Sequence, residues 1–174
     1  MAKLGALLAG LQEPLQEMIK GAAAILPEEI LQSSPKISRG ENYLGLPYLV
    51  LDQPRYFDRE NIFAIRTMFW WGHFFSCTLH LSGAYKDRYS EQLSASFGEL
   101  QKESFYICHS LNQWDHHFEA DNYMALQQLD KDQFDQLLKT HPFVKLAKRI
   151  PLDEWETIDK TLTGTIQALI KTLG

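Results

Sequence analysis

The feature that most constrains the fold is a pair of long β-type runs on either side of Gly72. Residues 62–70 and 73–82 are rich in Phe, Trp, Ile and Thr, and they are the two longest runs of this kind in the chain. β-branched and aromatic residues favour strands, and two such runs around a glycine are typical of a β-hairpin. We therefore predict a long hairpin at the centre of the sequence.

The register of this hairpin decides which side chains share a face. A loop over residues 70–73 places Phe69 opposite Phe74, and a two-residue loop over 71–72 gives the same register but forces a Trp into positive φ. In this register Arg66 lies opposite Cys77 on an otherwise apolar face. A shift of one residue would exchange the faces of one strand.

Helical patterns flank the hairpin on both sides. Apolar residues between Leu4 and Ile19 recur at helical spacing, and Pro14 predicts an interruption or a kink there. One helix is predicted over residues 86–102, and the last 45 residues are expected to be helical, with capping boxes at Asp130 and Asp153. Short strands are predicted over 48–51 and 105–109. The fold class is therefore α+β, with a mixed or mainly antiparallel sheet packed by the N- and C-terminal helices.

The length of 174 residues indicates a single domain. We divide it into a helical arm (1–32), a sheet-containing core with one helix (43–127) and the C-terminal helices (130–174). The segment between the arm and the core is rich in Ser, Pro and Gly, which is typical of a loop. The N-terminal helix is expected to lie across the sheet or against the C-terminal helix. The same apolar stripes allow a homodimer as an alternative.

Composition excludes several classes of function. The net charge is −5 and no basic stripe is visible, which argues against a nucleic-acid surface. Two cysteines without a CxxC pair indicate a reducing cytoplasm and no zinc site. The apolar run at the N-terminus is too short to span a membrane, and secretion is disfavoured. We expect no cofactor.

The densest cluster of ionisable residues is the stretch 114–121, with two histidines and three carboxylates. In a strand, Asp115, His117, Glu119 and Asp121 would share a face and could form a cation or general-base site. No known spacing of metal ligands matches the stretch, so we predict no metal. The plainer alternative is a polar loop with one buried, hydrogen-bonded histidine.

Arg66 is the second candidate, because arginine is almost never buried without a partner. It predicts either an internal salt bridge, with Asp52, Glu119 or Asp121 as partner, or an anion-binding site; a different register would leave it facing solvent. His80 could join the 114–121 cluster if it met His109 across neighbouring strands. The aromatic residues at the hairpin tip, Trp70 among them, indicate core packing or an exposed patch for a partner or apolar ligand. The candidate ligand-binding residues are thus Arg66, Trp70, His80, Asp115, His117, Glu119 and Asp121.

The order of elements begins with a Gly45-Leu46-Pro47 strand, followed by the aromatic hairpin, a helix and a strand. It continues with Trp114-Asp115-His116, the helix that begins near Leu129-Asp130-Lys131-Asp132 and a Val144-Lys145-Leu146-Ala147 segment. This order resembles that of the uncharacterised bacterial YktB-like proteins. The resemblance spans roughly residues 43–150 with few identities. It implies a mixed α/β sheet and carries over no activity and no functional residue.

Common catalytic motifs are absent: the sequence has no GxSxG elbow, P-loop, GxGxxG after a strand or HExxH. We therefore predict a cytoplasmic binding or interaction protein without catalytic activity, with a small anionic ligand or a protein as partner. One alternative is a small hydrolase that uses the 115–121 stretch with Arg66 as anion clamp. Another is a peripheral membrane protein that binds through its N-terminal helix, which carries little basic character.

Overall fold

The predicted hairpin lies at the centre of a seven-stranded antiparallel sheet in the computed structural model, which describes residues 2–174. The strands are β1 (Lys36–Tyr43), β2 (Leu46–Phe57), β3 (Ile62–Trp70), β4 (Phe74–Ser82), β5 (Tyr106–Cys108), β6 (Tyr123–Ala125) and β7 (Phe143–Ile150). Their order across the sheet is β1-β2-β3-β4-β7-β5-β6. The helices are α1 (Ala2–Gly21), α2 (Glu28–Leu31), α3 (Ala84–Ala95), α4 (Phe97–Lys102), α5 (Lys131–Thr140) and α6 (Ile158–Lys171). The α+β class is confirmed.

Helix α1 forms for the reason that its spacing indicates, since every third or fourth residue is apolar and buried. Those residues are Leu4, Leu8, Leu11, Leu15 and Ile19. The interruption that Pro14 could have caused is wrong: the helix runs continuously through this residue, which is exposed. The helix contacts β2 and α6, as predicted. Both terminal stripes are therefore buried inside the chain's own core.

The register of the hairpin differs from the predicted one by one residue. Phe69 pairs with Phe75, and Arg66 pairs with Thr78 instead of Cys77. The reason is a three-residue turn over residues 71–73, in which Gly72 adopts a φ of 70°. Loops of this length favour a glycine in the left-handed region. The prediction therefore assigned the wrong face of β3 to the core: Phe63 and Ile65 share the core face with Leu79 of β4, and Arg66 lies on the opposite face.

The two faces of the sheet have opposite character. One face carries Phe63, Ile65 and Leu79 into a large apolar core under the helices. The other face carries polar residues in its middle, among them Arg66 and His80. An irregular stretch, residues 109–122, lies over this second face, and we call it the covering segment.

Two segments predicted otherwise are strands. Residues 143–150 form β7 between β4 and β5, so the last 45 residues are not wholly helical. Residues 36–43 form the edge strand β1 instead of a loop, and most of its residues are exposed. The capping box at Asp130 is confirmed. The one at Asp153 is wrong, because residues 152–157 form a 3-10 turn and α6 begins after Thr157.

Within residues 2–174, no helix has the length and apolar character needed to cross a membrane.

Candidate functional site

Arg66 is held by an internal ion pair. Asp52 on β2 lies directly opposite it, and the carboxylate accepts from Nε at 2.7 Å and from Nη2 at 2.9 Å. The side chains are 7% exposed for Asp52 and 18% exposed for Arg66. A bidentate pair of this kind is the strongest form of Arg–carboxylate contact. The positive charge of Arg66 is therefore neutralised inside the protein, by one of the three partners that the sequence suggested.

Lys145 is the residue that the sequence analysis missed. It lies on β7 directly opposite His80, is 1% exposed, and donates through Nζ to the main-chain oxygen of Asp115. Its ammonium group also lies 5.4 Å from the centre of the Tyr123 ring. Burial, together with the positive charge of Arg66, lowers the pKa of Lys145 to about 8. In the sequence, Lys145 is marked only as a lysine within an apolar run, and that run was predicted to be part of a helix.

A small closed cavity of about 10 Å³ lies among these groups. It is lined by Ala64, Arg66, Thr78, His80, His116 and Lys145. Burial lowers the pKa of His80 to about 3, and burial together with the charges of Lys145 and Arg66 holds the pKa of His116 well below 6.5. Both histidines are therefore neutral at pH 7. The proton of His80 is on Nε2, which donates to Gln113 Oε1 at 2.9 Å.

The covering segment is anchored to the sheet by Tyr43 at the end of β1. Its hydroxyl oxygen accepts from the main-chain N–H groups of His116 at 2.7 Å and His117 at 3.1 Å. The hydroxyl proton is then donated to Nδ1 of His117 at 2.8 Å. This fixes the proton of His117 on Nε2, which donates to Asp121 Oδ1 at 3.2 Å. Burial raises the pKa of Tyr43, so the hydroxyl remains a donor at neutral pH.

A second, open cavity of about 480 Å³ lies at the hairpin tip, and we call it the tip groove. It is lined by Leu44, Trp70, His73, Phe74, His117, Phe118, Glu119, Asp121 and Arg149. The rings of Trp70 and His73 stack at 3.7 Å with an angle of 9°, and Phe74 meets Phe118 edge to face at 5.1 Å. The charged residues of the groove are all exposed. The tip groove thus has an aromatic wall with charged groups beside it.

The structure divides the predicted site residues between the two cavities. Trp70, His117, Glu119 and Asp121 line the tip groove, whereas Arg66 and His80 line the closed cavity. Arg66 and the carboxylates of the covering segment therefore do not share a pocket.

The remaining candidates take structural positions. Asp115 supplies its main-chain oxygen to Lys145. The strand alternative for residues 115–121 is wrong, because the stretch is irregular, although His117, Glu119 and Asp121 do line one cavity. His109 does not meet His80, since its Nε2 lies 2.8 Å from the main-chain oxygen of Ala120.

The described part of the chain contains no group of three or more His, Cys, Asp or Glu residues arranged to hold a metal ion. Both cysteines are buried and free. Burial raises the pKa of the Cys77 thiol to about 12 and also raises that of Cys108. A thiol with a raised pKa is a poor nucleophile at neutral pH, so neither cysteine has the character of a catalytic residue.

Comparisons with protein-family models, with curated proteins and with solved structures found no match for this chain. The resemblance to the YktB-like proteins accordingly stays a prediction.

Proposed function

We propose that this chain is a binding protein without catalytic activity, and that the tip groove takes a small organic cation with a flat apolar body. The observation that carries the proposal is an aromatic lining beside two exposed carboxylates; in this lining Phe118 is half-buried, and Trp70 and Phe74 are each 5% exposed and form the floor. Pockets for small molecules typically combine an apolar lining with a few polar groups that fix orientation.

Size and charge support this class of ligand. The groove volume of about 480 Å³ lies within the usual range of roughly 300–1,000 Å³ for small-molecule sites. Its carboxylates, Glu119 and Asp121, face a single guanidinium, that of Arg149. Because Arg66 is paired with Asp52, its charge offers the groove no anion clamp. For the tip groove we therefore propose a cation in place of the anionic ligand that the sequence suggested.

Two observations favour binding over hydrolysis. Arg66, the expected anion clamp, lines a different cavity from Glu119 and Asp121. Both ring nitrogens of His117 are engaged, one by the Tyr43 hydroxyl and the other by Asp121. A general base needs a free lone pair within reach of the proton that it removes, and His117 offers none.

The test compares three indoles of similar size whose side chains end in a cationic, a neutral and an anionic group: tryptamine, tryptophol and indole-3-acetate. Calorimetric titration should give the tightest binding for tryptamine and the weakest for indole-3-acetate. Exposed ion pairs contribute modestly, so we expect a preference for tryptamine over tryptophol of about 2- to 30-fold. The double variant Glu119→Gln/Asp121→Asn should remove this preference and leave the binding of tryptophol unchanged.

The matched control is Glu13→Gln/Glu91→Gln, which removes two exposed carboxylates elsewhere on the chain. It should bind all three indoles as the original protein does. Equal binding of the three indoles, no binding of any of them at millimolar concentration, or a preference that persists in the Glu119→Gln/Asp121→Asn variant would each contradict the proposal.

A further inference from the structure

The residues around the closed cavity carry an uncompensated positive charge. Arg66 is neutralised by Asp52, and His80 and His116 are neutral. Lys145 remains, and no carboxylate oxygen of residues 2–174 lies within 4.0 Å of its ammonium group. A buried charge without a counter-ion is costly, and proteins normally pair it.

The hydrogen bonds of Lys145 leave donor capacity that points to the cavity. An ammonium group has three N–H donors. One of them goes to the main-chain oxygen of Asp115, and the face of the Tyr123 ring lies 5.4 Å away. Thr78 also lines the cavity. A small acceptor in the cavity would therefore meet at least one free donor and a net positive charge.

We propose that the closed cavity between Arg66, His116 and Lys145 binds a single monatomic anion of the size of chloride. The volume of about 10 Å³ is close to the minimum for one water molecule, and a chloride ion, whose radius is larger by a few tenths of an ångström, fits after a small outward shift of the lining side chains. Oxyanions such as sulfate and organic anions such as gluconate are too large for it. The anion supplies the counter-charge that the side chains around Lys145 do not.

The electrostatics of the surrounding groups agree with this assignment. The pKa of Lys145 near 8 leaves the ammonium form dominant at pH 6.5, and a bound anion would raise this pKa. Cys108 and Tyr123 also face the cluster, and burial raises the pKa of both, so they are uncharged there. The carboxylate of Asp115 acts on Lys145 only from beyond 4.0 Å. This site is separate from the tip groove, so the proposal of an anion site is tested independently of the proposed function.

The experiment measures thermal unfolding at pH 6.5 and constant ionic strength while sodium chloride replaces sodium gluconate. Mass action at a chloride concentration ten times Kd lowers the unfolding constant about elevenfold and raises Tm by about 3–6 °C in a protein of this size. Lys145→Met should abolish the chloride-dependent rise. Lys86→Met, which removes a lysine from α3 on the opposite side of the sheet, should retain it.

A second measurement does not depend on a variant that folds. Crystals of the unmodified protein soaked in sodium bromide should show an anomalous peak beside Nζ of Lys145. The proposal is overturned if Tm is the same in chloride and gluconate, if the chloride effect persists in Lys145→Met, or if the bromide peak is absent. A Tm that does not respond to chloride, or a missing bromide peak, would mean that the cavity holds no anion, and a response that persists in Lys145→Met would mean that chloride acts at another site.

Discussion

Replacing Asp52 by Asn tests the physical basis of the polar face. The substitution keeps the shape of the side chain and removes the negative charge that neutralises Arg66. Breaking a buried ion pair by removing one partner costs about 3–5 kcal/mol. Because Arg66 keeps 18% of its side chain exposed and one hydrogen bond to the new amide remains possible, we expect a loss of about 2–3 kcal/mol.

A double-mutant cycle separates the pair from its surroundings. Asp52→Asn, Arg66→Met and the double variant are unfolded in urea, and the free energies of unfolding are compared. Because the double variant removes both charges, its loss in free energy of unfolding should be smaller than the sum of the losses of the two single variants. We expect a coupling of about 1.5 kcal/mol or more.

The control cycle uses the more exposed pair of Lys148 and Glu103, whose Nζ and Oε2 atoms are 3.2 Å apart. An ion pair in that position contributes about 0–1 kcal/mol. A coupling between Asp52 and Arg66 that is no larger than the coupling in this control would refute the argument that the pair is desolvated and structurally important.

Two further predictions concern the covering segment and the acid response. Tyr43→Phe removes the acceptor for two main-chain N–H groups and should lower the free energy of unfolding by about 1–3 kcal/mol. Amide hydrogen exchange at His116 and His117 should become faster, and unchanged exchange there would contradict the anchoring role. The pKa of His80 is about 3 in the folded protein and near 6.5 when unfolded, so between these values the unfolded chain binds the additional proton and stability falls as pH falls. His80→Gln should therefore lose less stability than the unmodified protein between pH 6.5 and 4 in urea titrations, and equal losses would show that His80 does not contribute.

The parts of the fold with strong local signals could be predicted from the sequence. The aromatic runs around Gly72 indicated the hairpin, the apolar spacing of α1 indicated a buried helix, and Asp130 with Gln133 indicated a capping box. The register failed because turn length is set by backbone conformation, here the positive φ of Gly72. Strand β7 was missed because a preceding proline and the charges within the strand obscured its period.

The site was harder to predict because its contacts join distant parts of the chain. The Tyr43 hydroxyl reaches His117 across 74 residues, and Lys145 reaches the covering segment across 30. A single sequence contains no signal for such pairings when the segment between them is irregular. Arg66 was identifiable because its own strand is apolar on both sides. The sequence offered three possible partners for Arg66, and only the pairing of β2 with β3 shows that Asp52 lies opposite it.

The polar face also explains why an irregular segment covers it instead of a helix. A helix packs through an apolar stripe. The middle of this face instead carries the buried Lys145, the partly buried Arg66 and the neutral His80. The main-chain groups of an irregular segment remain free to bond, so Asp115 can accept from Lys145 while His116 and His117 donate to Tyr43. Because His116 faces the closed cavity and His117 faces the tip groove, a single tyrosine hydroxyl positions a wall of each. Loss of this hydroxyl should therefore weaken both the binding of tryptamine and the stabilisation by chloride, whereas loss of Lys145 should affect the chloride response alone.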